Sequence, residues 1–219
     1  MKTISLVADI VLLAIDEETG KLRSLPDRAL DYALAGALLA ELSLQEKVHA
    51  EESGLTIDAA EPPEDPVLRE VFTVLSRLEE RDLRHALSRL AADGPDFRRR
   101  VVARLVEKGV LREEDEEFLW VFHRKRYPAA DRGVEEAVRA RLRRAILDDD
   151  HEPTRAELLL AGLVHACQLA YLVLSDEELA GNREHLQAMA RSDAIGRAVY
   201  DTVQEIHRAL LEIRTYTGM

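Results

Sequence analysis

The sequence predicts a mostly α-helical fold, a single-domain helical bundle over residues 1–219 with one or two short β-hairpins. Leu, Ala, Glu and Arg dominate the composition, while only 10 Gly and 7 Pro occur in 219 residues, and this favours helices. Apolar residues recur at three- and four-residue spacing, as on the buried faces of amphipathic helices. The length allows one sizeable core or two small ones, and we predict one because no stretch resembles a long linker.

The first element is predicted within residues 4–15, which are rich in Ile, Val and Leu and precede a polar turn that ends at Gly20. This pattern favours a short helix followed by a strand, or a strand alone, with residues 21–25 as the return strand. An amphipathic pattern over residues 28–44 then predicts a long helix. Its apolar stripe contains Gly36 and several Ala, which predicts close packing against a neighbouring helix.

A small hairpin is predicted at residues 47–59, which alternate around Gly54. Residues 93–95 are predicted to end one helix before the next begins, because a proline inside a helix removes a hydrogen bond. Asp96 is placed to cap the second of these helices. The remaining predicted helices span residues 67–78, 81–90, 97–107, 134–147, 155–174, 176–191 and 194–216.

The charge of the chain is unevenly distributed. The net charge is −12, yet residues 97–144 contain 14 Lys and Arg against 9 Asp and Glu, a local charge of +5. An acidic protein lacks the broad basic surface that general nucleic-acid binding needs, so we expect no nucleic-acid partner. A basic segment inside an acidic chain predicts an anionic partner at one face, such as a phosphate group or an anionic membrane surface.

No catalytic, cofactor or metal motif is found in the sequence. The seven His do not form H-E-x-x-H or a zinc-finger spacing, and no Walker A, G-x-G-x-x-G or G-x-S-x-G sequence occurs. We therefore expect that the protein is not an enzyme and uses no cofactor or metal. The one cysteine, Cys167, excludes an intrachain disulfide and is predicted to be a buried structural thiol.

The sequence contains no segment that predicts a membrane span or a signal peptide. Residues 158–174 form the longest apolar segment, but they include His165 and Gln168 and are short for a membrane span. No signal peptide is visible in residues 1–15, where Asp9 interrupts the apolar run. We expect a cytoplasmic protein whose association with a membrane is peripheral.

The strongest candidate for binding an anion is the basic helix at the start of the positive segment. Arg98, Arg99 and Arg100 are predicted near its N-terminus, where free N–H groups and the helix dipole favour anions. Arginine adds paired donors that suit phosphate. The alternative is a charged helix face that forms salt bridges with the abundant Glu.

The segment after that helix combines apolar and basic residues. The apolar residues are Phe118, Leu119, Trp120, Val121 and Phe122, and the basic residues are Arg124, Lys125 and Arg126. In a strand, residues 118, 120 and 122 would lie on one face. One interpretation is therefore a strand whose apolar residues pack in the core. The other is an exposed hairpin that contacts a bilayer, with its basic residues at anionic headgroups, or contacts a second subunit. The only Trp of the chain favours such an interface.

Four segments of the chain carry a family resemblance. In order they are ISLVADIVLLAIDEETGKL, LLAELSLQEKV, RLVEKGVLREE and HEPTRAELLLAGLVHACQL. Together they resemble the Golgi phosphoprotein 3 family over nearly the whole chain, and LVEKGVL is the most specific block. The resemblance implies a mostly helical single domain with a hydrophobic hairpin after that block. It also implies a peripheral membrane protein and adaptor rather than an enzyme, since eukaryotic members bind phosphatidylinositol 4-phosphate and retain glycosyltransferases in the Golgi. The Ala-, Arg-, Leu- and Glu-rich composition suggests a bacterial member.

The resemblance also implies positions for a lipid headgroup. The family pocket uses a Trp before the first long helix, an Arg within it, and two Arg three residues apart before the LVEKGVL block. The corresponding positions here are Pro26, Ala35, Pro95 and Arg98. Only Arg98 matches, and the neighbouring arginines that lie close enough to substitute are Arg28, Arg99 and Arg100. The implied ligand is therefore an anionic phospholipid headgroup, for which phosphatidylinositol 4-phosphate is the family's example.

Three hypotheses for function follow. The first is a peripheral membrane protein that binds anionic headgroups through the basic helix and the apolar hairpin. The second is an adaptor or dimerising scaffold, with a homo-oligomer formed through the hairpin and protein clients bound elsewhere. The third, a winged-helix DNA-binding protein, rests on a helix followed by a hairpin at residues 28–58 and 97–127, but the acidic residues 113–117 would repel phosphate.

Overall fold

Ten α-helices and two antiparallel two-stranded sheets make up the part of the chain that the computed structural model describes, residues 5–16, 18–23, 25, 28–51, 54–58, 61–118 and 122–217. The helices are α1 (Leu6–Ala14), α2 (Ala29–Leu44), α3 (Pro66–Ser76), α4 (Leu83–Ala92), α5 (Gly94–Glu107), α6 (Arg132–Leu147), α7 (Arg155–Ala166), α8 (Asp176–Gly181), α9 (Arg183–Arg191) and α10 (Ala194–Thr217). The strands are β1 (Val48–Glu51), β2 (Gly54–Ile57), β3 (Glu114–Phe118) and β4 (Phe122–Arg126). The prediction of a mostly α-helical fold with short hairpins is confirmed.

Helix α2 lies at the centre of the bundle and packs against α1, α4, α5, α7 and α10. Nearly all its side chains are buried, so the buried surface of this helix extends around it rather than being confined to the one stripe that the sequence predicted. A Cβ placed on Gly36 would lie 2.5 Å from Leu163 Cδ2 and 2.8 Å from Val199 Cγ2. The predicted close packing of α2 is therefore confirmed, and Gly36 is the residue that permits it.

The first segment forms a short helix followed by a minimal strand pair. Ser5 caps α1 by accepting a hydrogen bond from the Ala8 backbone N–H at 3.3 Å. Beyond the helix, Ile15 pairs with Leu22 in a single antiparallel bridge, and Gly20 turns the chain in the left-handed conformation (φ 65°). This turn, residues 15–23, carries one of the functional candidates described below.

Two predicted helix boundaries are wrong. Helix α5 begins at Gly94 rather than residue 97, because a proline fits the first turn of a helix, where the N–H groups have no partner within the helix. Asp96 consequently lies inside the first turn and is not the N-cap. The predicted helix 176–191 is divided into α8 and α9 at Asn182.

The predicted helix 155–174 is also shorter than expected. Helix α7 stops at Ala166, and Gln168 adopts the left-handed conformation (φ 59°). The Gln168 N–H donates to the His165 carbonyl at 3.0 Å, and the Leu169 N–H donates to the Val164 carbonyl at 2.8 Å. This is a Schellman ending formed without glycine, so no sequence signal marks it. Cys167 is buried there as predicted, and burial raises the pKa of its thiol.

Of the two interpretations of residues 118–122, the structure supports the hairpin rather than one continuous strand. Phe118 ends β3 and Phe122 begins β4, and the two residues pair directly across the hairpin. The acidic run of β3 lies opposite the basic run of β4, so opposite charges favour this register. Leu119, Trp120 and Val121 lie between the strands and outside the described residues. Across the described ranges, no helix has the length and apolar character needed to cross a membrane.

Candidate anion-binding site

A cavity of about 190 Å³ lies where the turn after α1, the start of α2 and the second turn of α5 meet. Its lining includes three arginines, Arg23, Arg28 and Arg98, together with the carboxylate of Asp31. We call this the basic cavity. Its formal charge of +2 contrasts with the net charge of −12 on the whole chain, so the cavity is a locally basic region of an acidic protein.

Each arginine reaches the basic cavity from a different segment. The backbone N–H of Arg23 donates to the Ala14 carbonyl at 2.8 Å, which fixes this residue to the end of α1. Its NH1 pairs with Asp16 at 2.9 Å, and its buried Nε has no hydrogen-bond partner among the described residues. An unsatisfied buried donor carries a desolvation cost.

Arg28 and Arg98 complete the basic cavity. Arg28 precedes α2 in the left-handed conformation (φ 59°) and donates through its guanidinium to the Ala91 carbonyl. Its side chain is 50% exposed, while that of Arg98, on α5, is 33% exposed. The Arg28 guanidinium is therefore held by the protein, and both arginine side chains remain partly accessible to solvent.

Asp31 forms the acidic side of the basic cavity. Its side chain is 9% exposed, and its carboxylate lies 3.4 Å from Arg28 Nε and 3.9 Å from Arg98 NH2. These long ion pairs leave donor capacity on both arginines. The carboxylate also abuts the N-terminus of α5, because a Cβ placed on Gly94 would lie 2.5 Å from Asp31 Cγ. Asp31 thus occupies the helix terminus that the sequence predicted for a phosphate.

The structure separates the predicted arginine cluster. Arg99 is 74% exposed and pairs with Asp96 at 2.9 Å, and Arg100 pairs with Glu70 on α3. Neither residue lines the basic cavity. The alternative interpretation, a charged helix face paired with acidic residues, therefore describes Arg99 and Arg100, whereas Arg98 joins Arg28 in the cavity.

The hairpin neutralises its own basic residues. Lys125 pairs with Glu113 at 2.5 Å and Arg126 with Glu114 at 3.1 Å, and Arg124 lies opposite Glu116 in the strand register. Residues 113–126 contain five Asp and Glu against three Lys and Arg. The hairpin therefore presents no excess of positive charge, although the sequence alone suggests one.

The base of the hairpin adjoins the basic cavity. The Tyr127 N–H donates to the Gly20 carbonyl at 2.6 Å, and a Cβ on Gly20 would lie 3.1 Å from Pro128. The turn over residues 15–23 therefore contacts the hairpin on one side and supplies Arg23 to the cavity on the other. The hairpin base and the basic cavity therefore share this turn.

Of the three arginines that line the basic cavity, Arg28 and Arg98 are predicted from the sequence and Arg23 is not. The available signal was the spacing of Arg23 and Arg28 on either side of Pro26 in a polar turn. Of the other positions suggested by the family pocket, Ala35 is buried in α2 and Pro26 lies outside the described residues. In the part of the chain that the structure covers, no three His, Cys, Asp or Glu side chains are grouped so as to hold a metal ion.

These features define a class of protein, an α-helical bundle with a basic surface cavity beside a β-hairpin. The family model described as Golgi phosphoprotein 3 (GPP34) matches residues 6–206, so the chain belongs to the Golgi phosphoprotein 3 family. The matched range contains the whole of the basic cavity and the hairpin. No curated protein matches the chain.

Proposed function

We propose that this protein binds the anionic headgroups of phospholipids at the basic cavity and associates peripherally with the cytoplasmic surface of a membrane. The observation that carries the proposal is the convergence of Arg23, Arg28 and Arg98 on one cavity from three separate segments. Guanidinium groups bind phosphate oxygens through paired hydrogen bonds. The proposed role is recognition and recruitment rather than catalysis.

The charge distribution supports a localised contact. Each basic residue near an anionic bilayer contributes about 1 kcal/mol, whereas the acidic remainder of the chain is repelled by the same surface. Binding therefore depends on orienting the basic cavity toward the lipid. A headgroup with a monoester phosphate, of which phosphatidylinositol 4-phosphate is the family's example, carries a charge of about −1.5 to −2 and so suits three arginines.

A second candidate function follows from the hairpin. Lys125 and Arg126 form ion pairs with acidic residues of the same hairpin segment. The hairpin therefore does not need an anionic surface to balance these charges, and its apolar sequence could contact a second copy of the chain instead. Self-association through this sequence, with protein clients bound by the acidic remainder, would make the protein a dimerising adaptor. Replacement of residues 118–122 by Gly and Ser would then abolish a dimer seen by light scattering while leaving vesicle binding unchanged.

The lipid proposal is tested by co-sedimentation with vesicles. We expect retention on phosphatidylcholine vesicles only when they contain an anionic lipid, with phosphatidylinositol 4-phosphate and phosphatidylglycerol compared at equal surface charge. Retention should weaken between low salt and physiological salt, because the Debye length falls to about 8 Å at 0.15 M. Equal retention on neutral vesicles, or retention that does not change with salt, would contradict the proposal.

A further inference from the structure

A second cavity, of about 510 Å³, lies between the end of α7 and helices α8, α9 and α10. It shares no residue with the basic cavity. Its lining combines aromatic rings, amide side chains and one cation over a floor of Ala170, Leu179 and Leu186. We call it the aromatic cavity. Its volume lies in the range of pockets that hold small organic ligands, which are mostly apolar with a few polar groups for orientation.

The cation of the aromatic cavity is Arg183, at the start of α9. Among the residues that the structure describes, no carboxylate lies within 4.0 Å of its guanidinium group, although ion pairs are frequent elsewhere on this surface. Arg183 is exposed and retains its donors for a ligand. A guanidinium group without a partner at the mouth of a cavity suits a carboxylate or phosphate.

Aromatic rings form the wall of the aromatic cavity. The rings of His165 and Tyr200 are stacked with centroids 5.9 Å apart and an interplanar angle of 16°, and Arg191 lies over the Tyr200 ring at 5.2 Å. Tyr171 is 52% exposed and lines the cavity, so its side chain is accessible to a ligand. Burial, with a smaller contribution from Arg183, lowers the pKa of His165. Its neutral imidazole can donate and accept hydrogen bonds at pH 7.

Three glutamines supply the remaining polar groups of the aromatic cavity. Gln168 is positioned by the left-handed ending of α7, while Gln187 and Gln204 are half-buried on α9 and α10. A glutamine amide can donate and accept in one plane, and this is the geometry with which it pairs with the edge of adenine. Amides beside an aromatic face therefore suit a planar heterocycle better than an aliphatic acid.

We propose that the aromatic cavity binds a nucleoside monophosphate or a ligand of the same chemistry, a planar heteroaromatic ring that carries one anionic group. The ring stacks on Tyr171, the glutamines contact its edge, and Arg183 binds the phosphate. Stacking of a base on an aromatic side chain contributes about 1–3 kcal/mol and is available to every base. This site is independent of lipid binding at the basic cavity.

Isothermal titration calorimetry with adenosine 5′-monophosphate tests the proposal. The half-ligands adenosine and ribose 5-phosphate should each bind at least about tenfold more weakly than the nucleotide, because each lacks one of the two contacts. Arg183→Ala and Tyr171→Ala should each weaken nucleotide binding by about tenfold or more. Both residues are exposed, so we expect both variants to fold, and a circular dichroism spectrum verifies this.

Matched controls separate this site from the basic cavity. Arg99→Ala removes an exposed arginine elsewhere, and the double variant Arg28→Ala with Arg98→Ala removes two of the three arginines of the basic cavity; both should bind the nucleotide unchanged. The proposal is overturned if about 1 mM nucleotide produces no binding heat, if ribose 5-phosphate binds as tightly as the nucleotide, or if Arg183→Ala has no effect. The absence of nucleotide binding would not affect the proposal of lipid binding, which is tested separately with vesicles.

Discussion

Replacing Asp31 by Asn should strengthen lipid binding while weakening the fold. Asp31 is the acidic residue of the basic cavity, and Asn has nearly the same shape, so the contact with Gly94 is retained. The substitution changes the formal charge of the cavity from +2 to +3. With about 1 kcal/mol for each charge near an anionic surface, binding to anionic vesicles should tighten by about fivefold.

The same substitution removes stabilising contacts. Asp31 pairs with Arg28 at 3.4 Å and with Arg98 at 3.9 Å, and partly exposed ion pairs of this kind contribute about 0–1 kcal/mol each. Its charge at the N-terminus of α5 contributes about 0.3–1 kcal/mol more. The free energy of unfolding should therefore fall by about 0.3–3 kcal/mol, as measured by urea denaturation.

Asp31→Asn is expected to tighten vesicle binding while it lowers the free energy of unfolding, so a general loss of structure cannot produce the predicted result. Asp201→Asn is the matched control, because it changes the net charge equally but removes a 3.9 Å pair with Arg191 on another surface. Vesicle flotation at low salt should show tighter binding for Asp31→Asn alone. Weaker or unchanged binding by a folded Asp31→Asn protein would refute the role of the basic cavity.

Two further predictions concern the core. Gly36→Val places a side chain against Leu163 and should lower the free energy of unfolding by about 1–3 kcal/mol. The control Gly181→Ala has open space around it and should leave the free energy of unfolding equal or higher by up to about 1 kcal/mol. Equal losses in the two variants would contradict the close packing of α2. Burial raises the pKa of Asp9 to about 7 despite its ion pair with Arg141. Because this carboxyl group binds its proton more tightly in the folded than in the unfolded protein, it adds stability that is fully present below pH 3.8 and is lost as the pH rises toward 7. Asp9→Asn should flatten this decline in urea titrations across pH 4–7, and an unchanged slope would show that Asp9 stays ionised.

The sequence predicts much of the bundle because its signals there are local. The apolar pattern of α2 and its Gly36 predict both a helix and a close contact. The hairpin β1–β2 is predicted by alternation around Gly54. Boundaries fail where tertiary or backbone geometry decides, as at Gln168, which ends α7 in a conformation that usually calls for glycine.

The basic cavity could be predicted only in part. Arg98 was identified from its helix and Arg28 from its proximity to the family pocket, but their meeting depends on the left-handed conformation of Arg28. Arg23 reaches the cavity through a hydrogen bond to the end of α1, a contact with no counterpart in sequence spacing. Arg99 differs from Arg98 only in helical phase, and a rotation of about 100° per residue directs it away from the cavity.

The most direct test of the central claim compares two double variants on anionic vesicles. Arg28→Ala with Arg98→Ala removes two cations from the basic cavity, while Arg99→Ala with Arg100→Ala removes two from the same region outside it. At about 1 kcal/mol per charge, the first should weaken binding by about 30-fold, and the second should retain most of it. Equal losses in the two variants, or a larger loss in the second, would contradict recognition at the basic cavity.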